Sequence, residues 1–224
     1  MAKATLADQM EMLRVQLETA LPTPLLLVVS SARDDDGKDL VASGLARSMD
    51  AAGYATLLVL ADERRRHVDG APEPKSVDEI CEFGIAPYLV RRSRASLPLM
   101  VLSGDRIRHT VSRESFARFA ETCRSTYQVT IIEAATSLSN SFTMFAAVAA
   151  DGVLLTVREG RRVRAEDRQL AKALAREKAP LLGIVAVNAS ALRNAAAEPA
   201  VRAAPAKARS AGAGVELRRE ERAV

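Results

Sequence analysis

The chain has 224 residues and a formal net charge of +4, with 48% hydrophobic and 27% charged residues. This balance is typical of a soluble globular domain, and no apolar run approaches the roughly 18–20 residues of a membrane span. Residues 189–224 hold seven Lys/Arg and four Glu, so this tail carries +3 and the rest of the chain only +1. The nearly neutral body, with 4% aromatic residues and no Trp, argues against a face for nucleic acid.

Two further features bound the class of protein. The two cysteines, Cys81 and Cys123, lie far apart in the sequence, which excludes a cysteine zinc site and favours buried thiols. The first 20 residues lack the basic and then apolar layout of a signal peptide. We therefore expect a cytoplasmic chain without a membrane span of its own.

Strand-like and helix-like segments alternate along the chain. Continuous apolar runs, typical of strands covered on both faces, occupy residues 25–31, 54–61, 98–104, 128–134, 152–159 and 180–188. Helical segments are predicted over residues 5–20, 39–53, 76–84, 112–127, 139–150 and 162–178. Ser76 is a candidate N-cap, with Glu79 at capping-box spacing. The alternation predicts an α/β fold, a doubly wound and mostly parallel sheet with helices on both faces.

The tail, residues 189–224, differs in composition from the segments before it. About one third of it is Ala, and it contains no aromatic residue. Such a segment cannot bury enough apolar surface to order itself. The sequence therefore predicts one domain at 1–188 and a disordered tail at 189–224.

The loop after the first predicted strand is where an open parallel sheet binds its ligands. Gly37 and Lys38 stand there between a strand and a helix, as they do in a phosphate-binding loop. A surface turn with acidic residues at a helix start is the alternative interpretation. Lys38 is the best candidate phosphate contact, the alternative being an exposed lysine at a helix start.

The other residues of this loop depart from a phosphate-binding pattern. Asp39 stands where the magnesium-binding hydroxyl belongs, and Arg33 is the only other basic residue beside Lys38. Three carboxylates fill the part that would curl around the phosphates: Asp34, Asp35 and Asp36. The loop thus carries about −2, and two like charges 4 Å apart repel by about 4 kcal/mol at an effective dielectric constant of 20. We expect weak binding of a polyanion.

Other segments add three candidate residues and one candidate pair. LLVLADERR (57–65) contains Asp62, YQVTIIEAAT (127–136) contains Glu133, and LLGIVAVN (181–188) ends on Asn188. The first helix carries Glu11 and Arg14 three residues apart, which is also the spacing of an ordinary ion pair within one helix.

Taken in order, these segments resemble the cytoplasmic domain of bacterial tyrosine kinases (BY-kinases), relatives of the MinD/ParA group of P-loop ATPases. The resemblance covers about residues 7–188 and implies a P-loop NTPase fold of the deviant, MinD-like kind. It implies that ATP and Mg²⁺ would lie against the loop and the strand ends. The residues that it assigns to nucleotide are Arg33, Gly37, Lys38, Asp39 and Asn188. It makes Asp62 and Glu133 the catalytic and metal-binding acids, and Glu11 and Arg14 part of a self-association helix.

The match is good in the scaffold segments and poor at catalytic positions. The loop hydroxyl and several loop glycines are missing, and Leu60 replaces the first acid of the motif that ends on Asp62. Leu17 replaces an Arg of the association helix, and a C-terminal tyrosine cluster is absent. Asp62 and Glu133 are also open to a plainer interpretation, as strand-end carboxylates that face solvent or, for Asp62, pair with Arg64.

BY-kinases act with membrane proteins that control the length and export of capsular or exopolysaccharide chains. The resemblance therefore implies a degenerate, regulatory relative that binds ATP and Mg²⁺ weakly, if at all. It implies a membrane polysaccharide co-polymerase as partner, homo- or hetero-oligomers, and a position at the inner membrane through that partner. An active tyrosine autokinase or ATPase, and a MinD/ParA-like positioning ATPase, are the alternatives.

Overall fold

A computed structural model of the chain describes residues 5–62, 71–72, 74–90, 97–102, 107, 111–188 and 190–192. Its sheet has six strands, all parallel, in the order β3-β2-β4-β1-β5-β6. The strands are β1 (Leu25–Ser31), β2 (Thr56–Leu60), β3 (Leu99–Val101), β4 (Val129–Glu133), β5 (Gly152–Arg158) and β6 (Leu181–Val187). Each lies within the apolar run that predicted it, so the predicted doubly wound α/β sheet is confirmed.

Helices cover both faces of the sheet, as predicted. They are α1 (Leu6–Ala20), α2 (Lys38–Ala51), α3 (Val77–Phe83), α4 (Arg113–Thr126), α5 (Ser141–Ala149) and α6 (Ala165–Arg176). One buried cluster joins α1 and α2 to one face, and a second joins α3, α4, α5 and α6 to the other. The second cluster contains three mutually contacting rings, Phe116, Phe119 and Phe142, with centroids 5.2–6.0 Å apart. Each face of the sheet therefore has its own hydrophobic core.

Side-chain caps mark several helix starts. Ser76 caps α3 as predicted, accepting from the Glu79 N–H at 3.1 Å. The Glu79 carboxylate accepts from the Lys75 N–H at 2.6 Å. The spacing thus predicted the side-chain cap correctly. In a full capping box the Glu79 carboxylate would accept from the N–H of Ser76, whereas here it accepts from the residue before it.

The order of the strands locates the ligand crevice. The chain leaves β1 towards β2 on one side, whereas β5 and β6 lie on the other side of β1. Such a reversal opens a crevice beyond the carboxyl ends of the central strands. The loop after β1 and the residues that follow β2 and β4 therefore converge at one end of the sheet.

The two edges of the sheet differ. Beyond β3, Val90 donates its N–H to the Leu99 carbonyl at 2.7 Å, and Leu89 forms an antiparallel bridge to Met100. Beyond β6, no further strand is found within the described ranges. A bulge in β6 turns Leu182 over Gly152, where an added Cβ would lie 2.1 Å from the Leu182 Cδ1. Gly152 therefore makes room for this edge strand.

Three further predictions concern the cysteines, the tail and membrane-spanning segments. Cys81 is half-buried and Cys123 is buried, and both are free thiols. A helical turn at residues 190–192 follows Asn188. Residues 193–224 lie outside the described part, so the division into a domain at 1–188 and a tail at 189–224 stays a prediction. Within the described residues, no helix is both long and apolar enough to span a membrane.

Candidate functional site

The loop after β1 closes tightly onto the start of α2. Residues Asp34–Asp36 form one turn of 3-10 helix, and Gly37 follows in the left-handed region with a φ of 75°. Helix α2 begins at Lys38 without a side-chain cap on its first amides. Since uncapped amides at a helix start favour anions, this end of α2 has the general character of an anion site.

Lys38 does not point into solvent. Its Nζ lies 2.6 Å from the Asp62 Oδ2, and both side chains are less than a tenth exposed. The ammonium also donates to the Thr136 Oγ1 at 3.2 Å, and the Thr136 hydroxyl donates to Asp34. Lys38 and Asp62, which the resemblance assigns to nucleotide and to metal, thus form a buried ion pair with each other. Arg64, the alternative partner of Asp62, lies outside the described residues.

Asp36 is the most buried carboxylate of the loop. It is 0% exposed and lies 2.7 Å and 2.8 Å from the two terminal nitrogens of Arg161. It also accepts the Arg158 N–H at 3.2 Å. Burial raises the pKa of Asp36, while the Arg158 N–H bond and the Arg161 charge act in the opposite direction. Sequence reasoning missed this contact, because Arg158 and Arg161 lie more than a hundred residues further along the chain.

The connection from β5 to α6 supplies the other partners of the loop. Arg33 lies 2.9 Å from Glu166, and Asp35 lies 3.9 Å from the guanidinium of Arg158. Among the described residues, the four cations at the loop therefore each have a carboxylate within 4 Å: Arg33, Lys38, Arg158 and Arg161. Arg158 and Arg161, which the charge count of the loop alone left out, therefore offset part of the loop's negative charge.

The acids at the strand ends lie where the resemblance implies. Glu133 is the last residue of β4, 2% exposed, and stands in register with Leu60 of β2. Asp62 follows β2 by two residues, next to Ala61, whose N–H donates to the Glu133 carbonyl at 2.9 Å. The described part of the chain contains no group of three or more His, Cys, Asp or Glu side chains that could hold a metal ion. The role of Asp62 and Glu133 as a metal-binding pair stays a prediction.

Asn188 and Asp39 flank the loop from two sides. The Asn188 Oδ1 accepts from the Ser190 N–H at 2.7 Å and caps the turn at 190–192. A Cβ on Gly37 would meet the Leu192 Cδ2 at 2.8 Å, so this turn packs directly against the loop. Asp39 is half-buried in the first turn of α2. Contact of either residue with a nucleotide stays a prediction.

Glu11 and Arg14 lie on α1 and face each other along the helix. Arg14 is 3.8 Å from Glu11 and only 2.6 Å from the Oε1 of Glu18. Ion pairs within one helix thus account for these side chains in the isolated chain. A role in self-association stays a prediction as well.

Similarity to known proteins lies in the fold. No protein-family model matches the chain, and neither does any curated protein. Among solved structures, the kinase domain of the Escherichia coli tyrosine kinase ETK is 16% identical, with a TM-score of 0.67 over 82% of this chain and 76% of that one. The chimerical protein CapA2B2 is 18% identical, with a TM-score of 0.67 over 83% and 85%. The chain has the fold of bacterial tyrosine kinase domains.

MinD proteins share the same core. The Aquifex aeolicus MinD cell division protein is 15% identical, with a TM-score of 0.54 over 76% of this chain and 72% of that one. The resemblance stated from the sequence is therefore confirmed for the fold, including its relation to the MinD group.

A nucleotide at this loop would meet carboxylates that already occupy its cations. A phosphate at the start of α2 would have to displace Asp62 from the buried Lys38 ammonium, whose neutralised charge offers little attraction. Asp39 in the first turn of α2 would place a second negative charge beside that phosphate. The helix dipole of α2 attracts a phosphate at this end, but Asp39 stands where a phosphate-binding loop has a hydroxyl.

Proposed function

We propose that this chain is a degenerate BY-kinase-like protein that works by contact, as a regulatory or binding partner in capsular or exopolysaccharide synthesis and export. The observation that carries the proposal is the buried Lys38–Asp62 pair, together with carboxylates at every cation of the loop. A fold retained with its phosphate loop neutralised favours a role in assembly over a role in catalysis.

Nucleotide affinity is the first test. Because Asp62 already neutralises Lys38, we expect ATP with Mg²⁺ to bind with a Kd in the high micromolar range or weaker. This corresponds to a binding free energy less favourable than about −6 kcal/mol. Isothermal titration calorimetry of the full chain measures it. A Kd below about 1 μM that depends on Mg²⁺ would contradict the proposal and favour an active enzyme.

The partner follows from the family that the fold resembles. We propose a membrane polysaccharide co-polymerase with a cytoplasmic tail, which would recruit the chain to the inner face of the membrane and form hetero-oligomers with it. In a deletion strain, loss or altered length of the exopolysaccharide would link the chain to this process. Co-purification of the chain with the membrane fraction only when the co-polymerase is present would support recruitment.

Complementation separates contact from catalysis. Replacing Lys38 alone would leave the Asp62 carboxylate buried without its cation, so the suitable variant is the double substitution Lys38→Met with Asp62→Asn. If the chain works by contact, this variant restores the polysaccharide as wild type does. A folded double variant that fails to restore it would favour the active tyrosine autokinase or ATPase.

An active enzyme of the same fold is the second candidate. The left-handed Gly37 before Lys38, and the acids Asp62 and Glu133 at neighbouring strand ends, favour it. In that case a phosphate would exchange places with Asp62 at Lys38. A MinD/ParA-like positioning ATPase shares these features and is distinguished by ATP-dependent binding to membranes or DNA.

A further inference from the structure

Strand β6 forms an edge of the sheet, and within the described residues no further strand pairs with it; its one protective feature is the bulge at Leu182. Its sequence LLGIVAV contains no charge and no Pro. Leu181 and Leu182 are 42% and 39% exposed, and Ile184 is 63% exposed. Edge strands of monomeric proteins ordinarily carry a charge, a Pro or a covering segment, because their free N–H and C=O groups can pair with another strand. Edge strand β6 therefore has the properties of a pairing surface.

Apolar grooves border β6 on both faces of the sheet. Between β6 and α6 lies a cavity of about 240 Å³ whose apolar lining includes Val163, Leu170 and Ile184. On the other face, a groove of about 340 Å³ between β6 and α1 is lined by Met12, Leu13 and Val185, among others. A strand that covers this edge must thus present apolar side chains to both faces.

We propose that β6 pairs antiparallel with β6 of a second copy of this chain, across a two-fold axis. The second copy supplies what the edge requires, an uncharged strand with apolar side chains on both faces. The opposite edge is covered by residues 89–90, so the pairing ends at two copies and builds no filament. The result is one sheet that continues through both molecules.

The chain's own C-terminal segment is a poorer occupant. Residues 193–224 contain Pro199 and Pro205, and their larger apolar side chains are limited to three Val and one Leu. No stretch there combines the length, the missing charge and the β-branched side chains of LLGIVAV. Since Pro and Ala are depleted in strands, this composition does not match the edge.

The expected interface is small. A seven-residue strand is about 23 Å long. With a groove on either side, the surface buried on each copy is about 20 Å wide, so the two copies together bury about 900 Å². This is below the roughly 1,000 Å² that a stable interface ordinarily exceeds, and it is typical of weak or transient association. We therefore expect a reversible dimer with a Kd in the micromolar range. The inference concerns β6 alone and does not depend on the proposed function.

Sedimentation equilibrium of the full chain, at concentrations from about 1 to 200 μM, tests the dimer. Ile184→Lys places a charge in the centre of the edge, and we expect it to raise the dimer Kd at least tenfold. Phe83→Lys is the matched control, because Phe83 is 60% exposed on α3, which packs next to α4, and is not among the residues that line the grooves beside β6. A wild-type chain that stays monomeric at 200 μM, or equal effects of the two substitutions, would overturn the proposal.

Hydrogen exchange on the wild-type chain keeps the test independent of how the variants fold. In the dimer, the β6 amides that point away from β5 exchange more slowly as the protein concentration rises. Protection that is the same at 1 and 200 μM would instead assign the edge to the chain's own tail. Fast exchange at both concentrations would leave the edge uncovered, and either of these two results refutes pairing with a second copy.

Discussion

Two buried ion pairs lie on either side of Gly37, and they have different consequences. Lys38–Asp62 joins the start of α2 to the end of β2, through residues that match the bacterial tyrosine kinase pattern. Asp36–Arg161 joins the loop to the β5–α6 connection, through an Asp where that pattern has another residue. If a phosphate binds at the start of α2, the first pair is the one whose carboxylate it would replace, because Lys38 stays at the helix start. For the second pair we expect a structural role, which is to hold the loop against the β5–α6 connection.

The largest expected effect comes from breaking the structural pair. Arg161→Met leaves the fully buried Asp36 carboxylate without its cation, and we expect the free energy of unfolding to fall by about 3–5 kcal/mol. Adding Asp36→Asn should restore most of the loss, since a neutral amide needs no counter-charge. Urea denaturation of the two variants and wild type measures both effects. Equal stability of Arg161→Met and wild type would show that this pair does not hold the loop.

The pH dependence of the same pair sharpens the comparison. Burial raises the pKa of Asp36 above the ordinary value of about 3.9, so the folded state keeps its proton to a higher pH than the unfolded chain. Its contribution to stability is fully present below pH 3.9 and is lost as the pH rises through the raised pKa. Asp36→Asn, which stays neutral, should therefore gain stability relative to wild type over that window. A difference that does not change with pH would contradict the raised pKa.

Gly37 lets its two neighbours point to different partners, and its replacement is expected to have the next largest effect. Gly37→Ala must adopt a φ of 75°, and its Cβ would meet Leu192 and Val187 at 2.8 and 2.9 Å. We expect a loss of about 2 kcal/mol in thermal or urea unfolding, from the left-handed conformation and the contact together. Adding Leu192→Ala should recover only the share of the loss that comes from the contact with Leu192, since the contact with Val187 remains. Gly53→Ala, at a φ of 93° with no neighbour within 4 Å, is the control for backbone strain alone.

Freeing Lys38 tests whether the first pair is exchangeable. Asp62→Asn keeps a hydrogen-bond acceptor for the buried Lys38 ammonium but removes its counter-charge, and we expect a stability loss of about 2 kcal/mol. Pyrophosphate, titrated by calorimetry, should bind about tenfold more tightly, which corresponds to about 1.4 kcal/mol. Asp167→Asn is the matched control, because it removes a carboxylate from Arg161 and not from Lys38. Equal gains in both variants would show a general charge effect.

Thr136→Val should have the smallest effect. The hydroxyl accepts from Lys38 at 3.2 Å and donates to Asp34, so its loss weakens the first pair without breaking it. We expect less than about 1 kcal/mol in urea denaturation and no change in the pH dependence. A loss as large as that of Arg161→Met would show that Thr136, and not Asp62, holds Lys38.

The sequence predicted the fold well because the fold depends on local patterns. The runs at 25–31 and 152–159 have the hydrophobicity of strands covered on both faces, and the core bears this out. The loop was harder, since its acids take their partners from far along the chain. Nothing in ARDDDGK indicates that Asp36 would meet Arg161, and no local pattern shows that Lys38 would turn to Asp62. A basic cluster such as 158–164, directly after a predicted strand, was the one signal that could have suggested an acidic partner.

The central place of β1 in the sheet also has a consequence for synthesis of the chain. Leu25 pairs with Val129 and Leu27 with Gly152, so both neighbours of β1 are made more than a hundred residues later. At about 5–20 residues per second, β1 leaves the ribosome about 5–20 s before β4 is available to pair with it. During that interval its seven apolar and hydroxyl side chains have no sheet to enter. A nascent chain stalled near residue 110 should therefore be a substrate for chaperones that hold exposed apolar segments.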